Sequence, residues 1–472
     1  MPPNFCPYSR LMHLSAKGDC SVSQLFFKET PMNRNRHNIA LLLVIVSLSV
    51  LCDQAFAQQD WNQWLGPQRD SVWREEGILT EIPADGLNVL WRAPIAGGFS
   101  GPAVSQDRVF VTDYKLIEGD QRNDPNKRSK LKGTERVHCL NAKTGDSIWT
   151  HELECDYNIS YAMGPRTTPT VDGQRVYTVG AEGNLFCLNV EDGSEIWKKD
   201  IKAEYGLNEA PLWGFANHPL VVGDMLYIVA GGEGSVSVAL NKLTGEEVWR
   251  KLSADEQGYC PPTLINAGGV DQLLIWHAAA INSLNPLTGE LYWSIPSKPA
   301  YGMAVIAPIH HGDYLLLTAL QGGSMLLKLD PEKPAANKVW KGKGLNPDHN
   351  PPVVFENHIY GVDVKGHMRC VDLVSGERIW ESLATCPDGR PASSATGFVV
   401  RNEDHWYIAT EQGELIIATM SPEGFKELGR GKMVDPTAES RGRKIVWSHP
   451  AFANKCVFAR NDKEIVCISL AE

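Results

Sequence analysis

One pattern recurs through the chain: a β-type run ending in Leu-Asn or Val-Asp, a spacer closing on Gly, and a Trp a few residues later. It reads CLNAKTGDSIW from Cys139 to Trp149, CLNVEDGSEIW from Cys187 to Trp197 and ALNKLTGEEVW from Ala239 to Trp249. It continues as SLNPLTGELYW from Ser283 to Trp293 and CVDLVSGERIW from Cys370 to Trp380. Degenerate copies end at Trp340 and Leu428, and the last run, VCISLAE, begins the pattern and stops. The physics is that of a β-hairpin. Alternating apolar and β-branched residues give a strand, Asn or Asp opens the turn by bonding its side chain to the backbone, Gly supplies the positive φ, and the returning strand carries the Trp. Two more strands precede each copy, as in TPTVDGQRVYTVGAEGNLFCLNVEDGSEIW, so the unit has four strands.

A chain of 472 residues would ordinarily divide into about three domains, but the repeat points to one ring. From Trp149 to Trp380 the units average about 46 residues, the length of a four-stranded propeller blade. About eight such units remain once the N-terminal leader and a polar insertion at 115–134 are set aside. The last unit, from Trp447, has three strands and lacks its Trp strand, while Leu87 to Ile95 is an orphan strand bearing Trp91. Joined, they leave no sheet edge unpaired between the first and last blades. The expectation is an all-β, eight-bladed β-propeller of four-stranded antiparallel blades over 87–472, with the N-terminal strand closing the last blade.

A residue repeated at one site in every blade serves the repeat. Trp91, Trp149, Trp197, Trp249, Trp293, Trp340 and Trp380 are therefore assigned to packing between neighbouring blades. Cys139, Cys187, Cys370 and Cys467 share one third-strand position in different blades, too far apart to bond, and are expected as buried thiols. Cys456 and Cys467, on adjacent strands of one hairpin, are the pair placed to meet, with their register left open.

The first 57 residues read as a targeting segment. The apolar run 41–51 is too short to span a bilayer, follows Arg34 and Arg36, and precedes Ala55-Phe56-Ala57, as in a signal peptide cut after Ala57. Met32 would begin a signal of ordinary length. Leu51 is bulky where lipidation of Cys52 needs a small residue. The expected product is secreted or periplasmic, with 58–86 a leader packing on the ring. Its net charge of about −13 disfavours nucleic acid and anionic membrane surfaces. The basic cluster Lys127, Arg128, Lys130, Lys132 and Arg136 is read as a solvated loop. A closed ring is expected to be a monomer.

The repeat, with its TG-x-x-x-W ending, resembles the pyrroloquinoline-quinone (PQQ)-like repeat over roughly residues 87–472. Rings of such repeats behind a signal peptide resemble two groups: BamB-like assembly scaffolds of the outer membrane and quinoprotein alcohol dehydrogenases. The first resemblance implies a binding or assembly scaffold with a protein partner, and the second implies PQQ with calcium as cofactors. Dehydrogenases of the second group carry a vicinal Cys-Cys disulfide, and this sequence has no adjacent Cys pair and no C-x-x-C-H haem site. It also has no G-x-x-x-x-G-K-[ST], H-E-x-x-H or G-x-S-x-G. His310-His311 lacks a further ligand at suitable spacing, so no metal site is assigned. The reading is therefore a binding scaffold without an assigned cofactor, with the quinone-dependent dehydrogenase as the alternative.

Geometry says where a ligand or partner would bind, because segments leading into the innermost strands face the channel mouth. Here they are rich in aromatic and polar residues. The candidates are Tyr157, Tyr161 and Arg166 in one segment, then Trp213 in Trp213-Gly214-Phe215-Ala216-Asn217-His218, and Tyr259. Further round are Tyr301, His349 and Asn350 beside Asp348, the pair Ser393-Ser394, and Trp447 and His449. Arg166 suits a carboxylate, and Trp213 or Trp447 suits a planar ring. The alternative role is to cap the channel and satisfy loop carbonyls.

Overall fold

The computed structural model describes residues 60–320 and 322–472; the signal peptide, Met32 and Cys52 lie outside the described residues. Eight antiparallel sheets form the blades, each with four strands running from inner to outer, in chain order in blades 1 to 7, and blade 1 adds the short strand Tyr157–Ile159. The inner strands are Ala103–Ser105, Thr170–Asp172, Leu220–Val222, Thr263–Ala267, Ile309–His311, Val353–Phe355, Gly397–Asn402 and Ala451–Ala453, which number blades 1 to 8. Blade 8 takes its outer strand, Asn88–Pro94, from the far end of the sequence, paired with Glu464–Ser469. The ring is closed as the orphan strand predicted. Apolar clusters lie between the faces of adjacent blades, such as Phe110, Val137 and Trp149 of blade 1 against Val171 and Phe186 of blade 2.

The repeated motif builds these joints residue by residue. Asn141, Asn241 and Asn285 each accept two turn amides on Oδ1, so the side chain shapes the turn. Every motif Trp but Trp293 then donates its indole N–H to a carbonyl in the next blade's turn, as Trp149 does to Val190, Trp197 to Lys242 and Trp249 to Pro286. In all eight blades the outer strand slips register by one residue at this point. The extra residue, such as Ile148, Val248 or Ile379, faces solvent. A bulge on an edge strand raises the local twist and blunts the edge against pairing with another chain.

Blade 7 departs from the sequence reading by one residue. Gly429, not Leu428, stands opposite Ile417 at the Trp register, and Leu428 is the bulged residue. The reason lies in the neighbour. Blade 8 has no turn between its third and outer strands to receive an indole, and Ile82 of the leader fills the place, within 2.9 Å of where a Gly429 Cβ would stand.

Two segments outside the repeat finish the ring. Residues 61–79 cross one end of the channel: Trp61 pairs with Val104 of blade 1, and Asn62 donates to the Val171 carbonyl of blade 2. Trp73 N donates to the Arg401 carbonyl of blade 7, and Ile78 pairs with Ala471 beyond blade 8. The insertion of blade 1 lengthens its two middle strands, and residues 119–128 fold back over the other end. There Gln121 donates to the carbonyls of Ala162 and Met163, and Asn123 donates to that of Glu439. The basic cluster is thus not a uniformly solvated loop. Arg128 donates to the carbonyls of Asn158 and Ala210, and Arg136 forms a two-pronged pair with the fully buried Asp113.

Candidate functional site

Between these two segments lies a cavity of about 610 Å³ on the channel axis. Its floor is Trp64 of the leader, stacked on His218 with ring centroids 4.6 Å apart and met edge-on by His449 at 5.9 Å. Arg69 lies on the Trp64 face at 5.8 Å and donates to the carbonyls of His218 and Pro262, so the floor is tied to blades 3 and 4. Pro125 and Asn126 of the insertion border the opposite side.

Of the ten aromatic, Arg, His and Asn candidates, eight border this cavity: Tyr161, Arg166, Trp213, Tyr259, Tyr301, His349, Trp447 and His449; Asp348 and the pair Ser393-Ser394 border it too. Tyr157 and Asn350 do not. Tyr157 stacks on Tyr114 at 3.9 Å and donates to the buried Glu135 carboxylate at 2.5 Å, between blades 1 and 2. Asn350 is fully buried and donates to the Val362 carbonyl at 2.6 Å, binding two segments of blade 6. Trp64, Phe99, Lys365 and Arg441 also border the cavity and were not among the candidates. Trp64 lies in the leader and Lys365 in the turn between the second and third strands of blade 6, where the rule about segments leading inward does not reach, whereas Phe99 and Arg441 lie in the segments leading into the inner strands of blades 1 and 8 and were passed over.

The two indoles are held by their N–H groups from outside. Trp213 donates to the Pro125 carbonyl at 3.0 Å, and Trp447 donates to the buried Glu411 carboxylate at 3.2 Å, itself bound by Arg443 at 2.7 Å. With both N–H groups engaged, the rings offer the cavity carbon surface rather than donors. Tyr259 tilts against Trp213 at 5.3 Å, and His349 meets Trp447 at 5.1 Å. Arg166 lies over Phe99 at 5.5 Å and donates to the carbonyls of Gly164, Ser160 and Tyr161. No carboxylate pairs with it among the described residues, and burial lowers its guanidinium to about 10. Thr168 N donates to His218 Nδ1, which leaves the His218 proton on Nε2. Burial pushes His218 well below the ordinary imidazole range and His449 down to about 3, so both are neutral near pH 7.

The donors suit an organic ligand and not a hard dication. Asp348 is the single carboxylate on the wall, and no group of three or more His, Cys, Asp or Glu converges among the described residues. Calcium requires about six to eight oxygen ligands. An aromatic or planar body, by contrast, meets indole and phenol faces on several sides, with a cation beside them.

Fold and cavity together define an eight-bladed repeat propeller with a partly open cavity at its channel. The family described as outer membrane protein assembly factor BamB matches residues 133–296 and 277–472, and the chain belongs to that family. No curated protein sequence matches. Among solved structures, the europium-containing methanol dehydrogenase is 12% identical with a TM-score of 0.57, over 87% of this chain and 89% of that one. The quinohemoprotein alcohol dehydrogenase of Comamonas testosteroni is 12% identical with a TM-score of 0.55, over 87% and 80%. BamB of Moraxella catarrhalis is 14% identical with a TM-score of 0.48, over 76% and 98%. At these identities the likeness is one of fold, and chemistry must come from the site.

Proposed function

We propose that this protein is an exported, non-catalytic binding propeller that encloses a small organic ligand with a planar or aromatic face. The observation that carries this is the chamber itself: the mouth segments converge on an interior space walled by Trp213, Trp447 and Tyr259, floored by Trp64 and crossed by the 119–128 strap. Export rests on the apolar run 41–51 with Ala55-Phe56-Ala57 and accords with the family's description. That description also suits a protein partner at a membrane assembly, which would dock outside the chamber.

A second reading, a quinone-dependent dehydrogenase, is favoured by Arg166 standing among aromatic platforms. A bound quinone would supply a two-electron acceptor, with Trp213 and Trp447 flanking the ring and Arg166 beside a carboxylate. For the calcium that such enzymes hold, no group of three or more His, Cys, Asp or Glu converges among the described residues. The test adds PQQ, a planar tricarboxylate, to the purified protein in calcium or in chelator and follows melting temperature and tryptophan emission. The proposal expects a rise of a few degrees at saturation in either medium, because a ligand that prefers the native state stabilises it. Alcohol oxidation with an artificial electron acceptor would support the second reading instead. No shift with PQQ or any other planar aromatic probe, in wild type and Trp447→Ala alike, would sink the chamber as a binding site.

A further inference from the structure

The cavity is not covered evenly. One end is floored by Trp64. At the other, the strap is fastened to the segments leading into blades 2 and 3, where Arg128 holds the carbonyls of Asn158 and Ala210 and Trp213 holds that of Pro125. The wall residues in segments leading into blades 1 to 4, such as Phe99, Tyr161, Trp213 and Tyr259, are all buried or half-buried. Apart from Asn126 of the strap, the exposed wall residues are Tyr301, Lys365, Ser393 and Arg441, which belong to blade 6 or to the segments leading into blades 5, 7 and 8. The opening is therefore one-sided and lies away from the strap's attachments to blades 2 and 3.

Tyr301 stands at this opening and differs from every other aromatic on the wall. Its side chain has neither a ring neighbour nor a hydrogen bond among the described residues, and it is 69% exposed. Trp213 by contrast packs with Tyr259, Tyr161 and His349 pack with Trp447, and Trp64 packs with His218. The Tyr301 backbone lies in the left-handed region at φ 56° and ψ 26°, an uncommon conformation for a bulky residue. Such strain persists where the surroundings enforce it, and it gathers at ligand clamps. Here Gly302, at a φ of +67°, lies against Glu256 and Ala278 of blade 4 where a Cβ would not fit, so the loop is seated closely while the ring beside it has space. An exposed ring of this kind moves by a rotamer change alone.

We propose that the opening over blades 5 to 8 is the port of the cavity and that Tyr301 is its gate, a ring that swings aside to admit a planar molecule and then closes on its outer face. The occupant rests on the binding function proposed above; the port is a property of the free protein.

Two measurements on the full chain separate the port from its occupant. Diethyl pyrocarbonate modifies neutral imidazoles, so His349 and His449 on the wall report entry of the reagent by peptide mass spectrometry, with His405, which does not border the cavity, as reference. Tyr301→Ala should raise their rate about threefold or more, since it removes the gate, while Tyr301→Phe keeps the wild-type rate. Arg128→Ala, which loosens the strap, should leave the rate unchanged because the port is already open on the other side. With PQQ as the probe, stopped-flow tryptophan emission should show release about tenfold faster from Tyr301→Ala, and release from Tyr301→Phe as from wild type, since the ring and not the hydroxyl covers the ligand. Labelling that Arg128→Ala accelerates and Tyr301→Ala does not places the entrance at the strap and overturns the proposal, as does labelling that no variant changes. Unchanged release of bound PQQ from Tyr301→Ala overturns the closing role of the ring. Failure of PQQ to bind counts against the binding function instead, and the labelling rates then decide the gate.

Discussion

A Cβ at position 193 would stand 2.5 Å from the Trp149 indole, at a φ of +69°. The Gly of the repeated motif thus has two duties: it supplies the turn's left-handed residue, and it forms the flat seat on which the preceding blade lays its Trp. Gly145 under Trp91, Gly245 under Trp197, Gly289 under Trp249 and Gly376 under Trp340 repeat the contact at 2.6 to 2.8 Å. Blade 5 tests the rule within the molecule. Its turn, DPEKPAAN, lacks the Gly, and Trp293 of blade 4 donates instead to Gln272 of its own sheet. The neighbouring Gly173, also at positive φ but with open space around it, separates the two duties. Gly173→Ala should cost about 1 kcal/mol for backbone strain, and Gly193→Ala about 2 to 3 kcal/mol, the excess being steric. Urea unfolding of the two variants measures the difference; equal losses would remove the seat. The turn duty was legible in the sequence because Asn and Gly are local signals. The seat was not, because it belongs to the joint between two repeats, and the same blindness put the lost Trp of blade 7 at Leu428 instead of Gly429.

Among the elements, the two that shape the cavity are the two that do not repeat. The leader is fastened by buried aromatic surface: Trp61 and Trp73 are 3% and 1% exposed and both pack on Phe452 of blade 8. It is part of the core, and a chain without it would lose both the floor and one face of the closing blade. The strap is fastened differently. Residues 119–128, GDQRNDPNKR, offer Pro125 as their one apolar side chain and are held by polar bonds to loop carbonyls. Elements held this way open locally at little cost to the whole. Arg128 makes three of those bonds, two to carbonyls and one to the exposed Glu209. Arg128→Ala should raise amide exchange across 119–128 about tenfold while global stability changes by under about 1 kcal/mol. A large fall in stability, or unchanged exchange, would make the segment part of the rigid ring. Eight candidates were found on the cavity wall because the inner-strand rule follows from propeller geometry. Trp64 was not, because its placement depends on how the non-repeating leader crosses the channel, while Phe99 and Arg441 stand in inward-leading segments with no local pattern to single them out.

At the scale of the whole molecule, the period and the split last unit specified a closed ring of eight, since one strand at the start and three at the end have no other partner. What periodicity cannot report is the interior of the ring, where burial alters acid–base behaviour. His218, His349 and His449 all line the chamber, and burial lowers all three below the ordinary value of 6.5, His449 to about 3. The unfolded chain therefore binds protons near pH 6.5 that the folded ring refuses. Stability depends on pH through the difference in bound protons, so the native state is favoured above pH 6.5 and loses ground as pH falls toward the folded values. Each such histidine contributes a slope of up to about 1.4 kcal/mol per pH unit in that window. Carboxylates held low in the fold, such as Asp113, act only near and below pH 4, whereas the buried Glu135, which burial pushes up, gains its proton earlier in the folded state and opposes the imidazole slope, so the histidine part is read as the difference between wild type and a histidine variant. The measurement is urea unfolding at half-unit steps over the interval from pH 6.5 to 4.5. Wild type should lose stability throughout it, and His449→Phe should flatten the slope by about one proton's worth, whatever its effect at pH 7. Since a ligand that fills the chamber also keeps water and protons from these rings, the bound native state takes up still fewer protons, and a slope that stays as steep and persists to lower pH in the presence of PQQ would tie the histidines and the bound state to the same cavity.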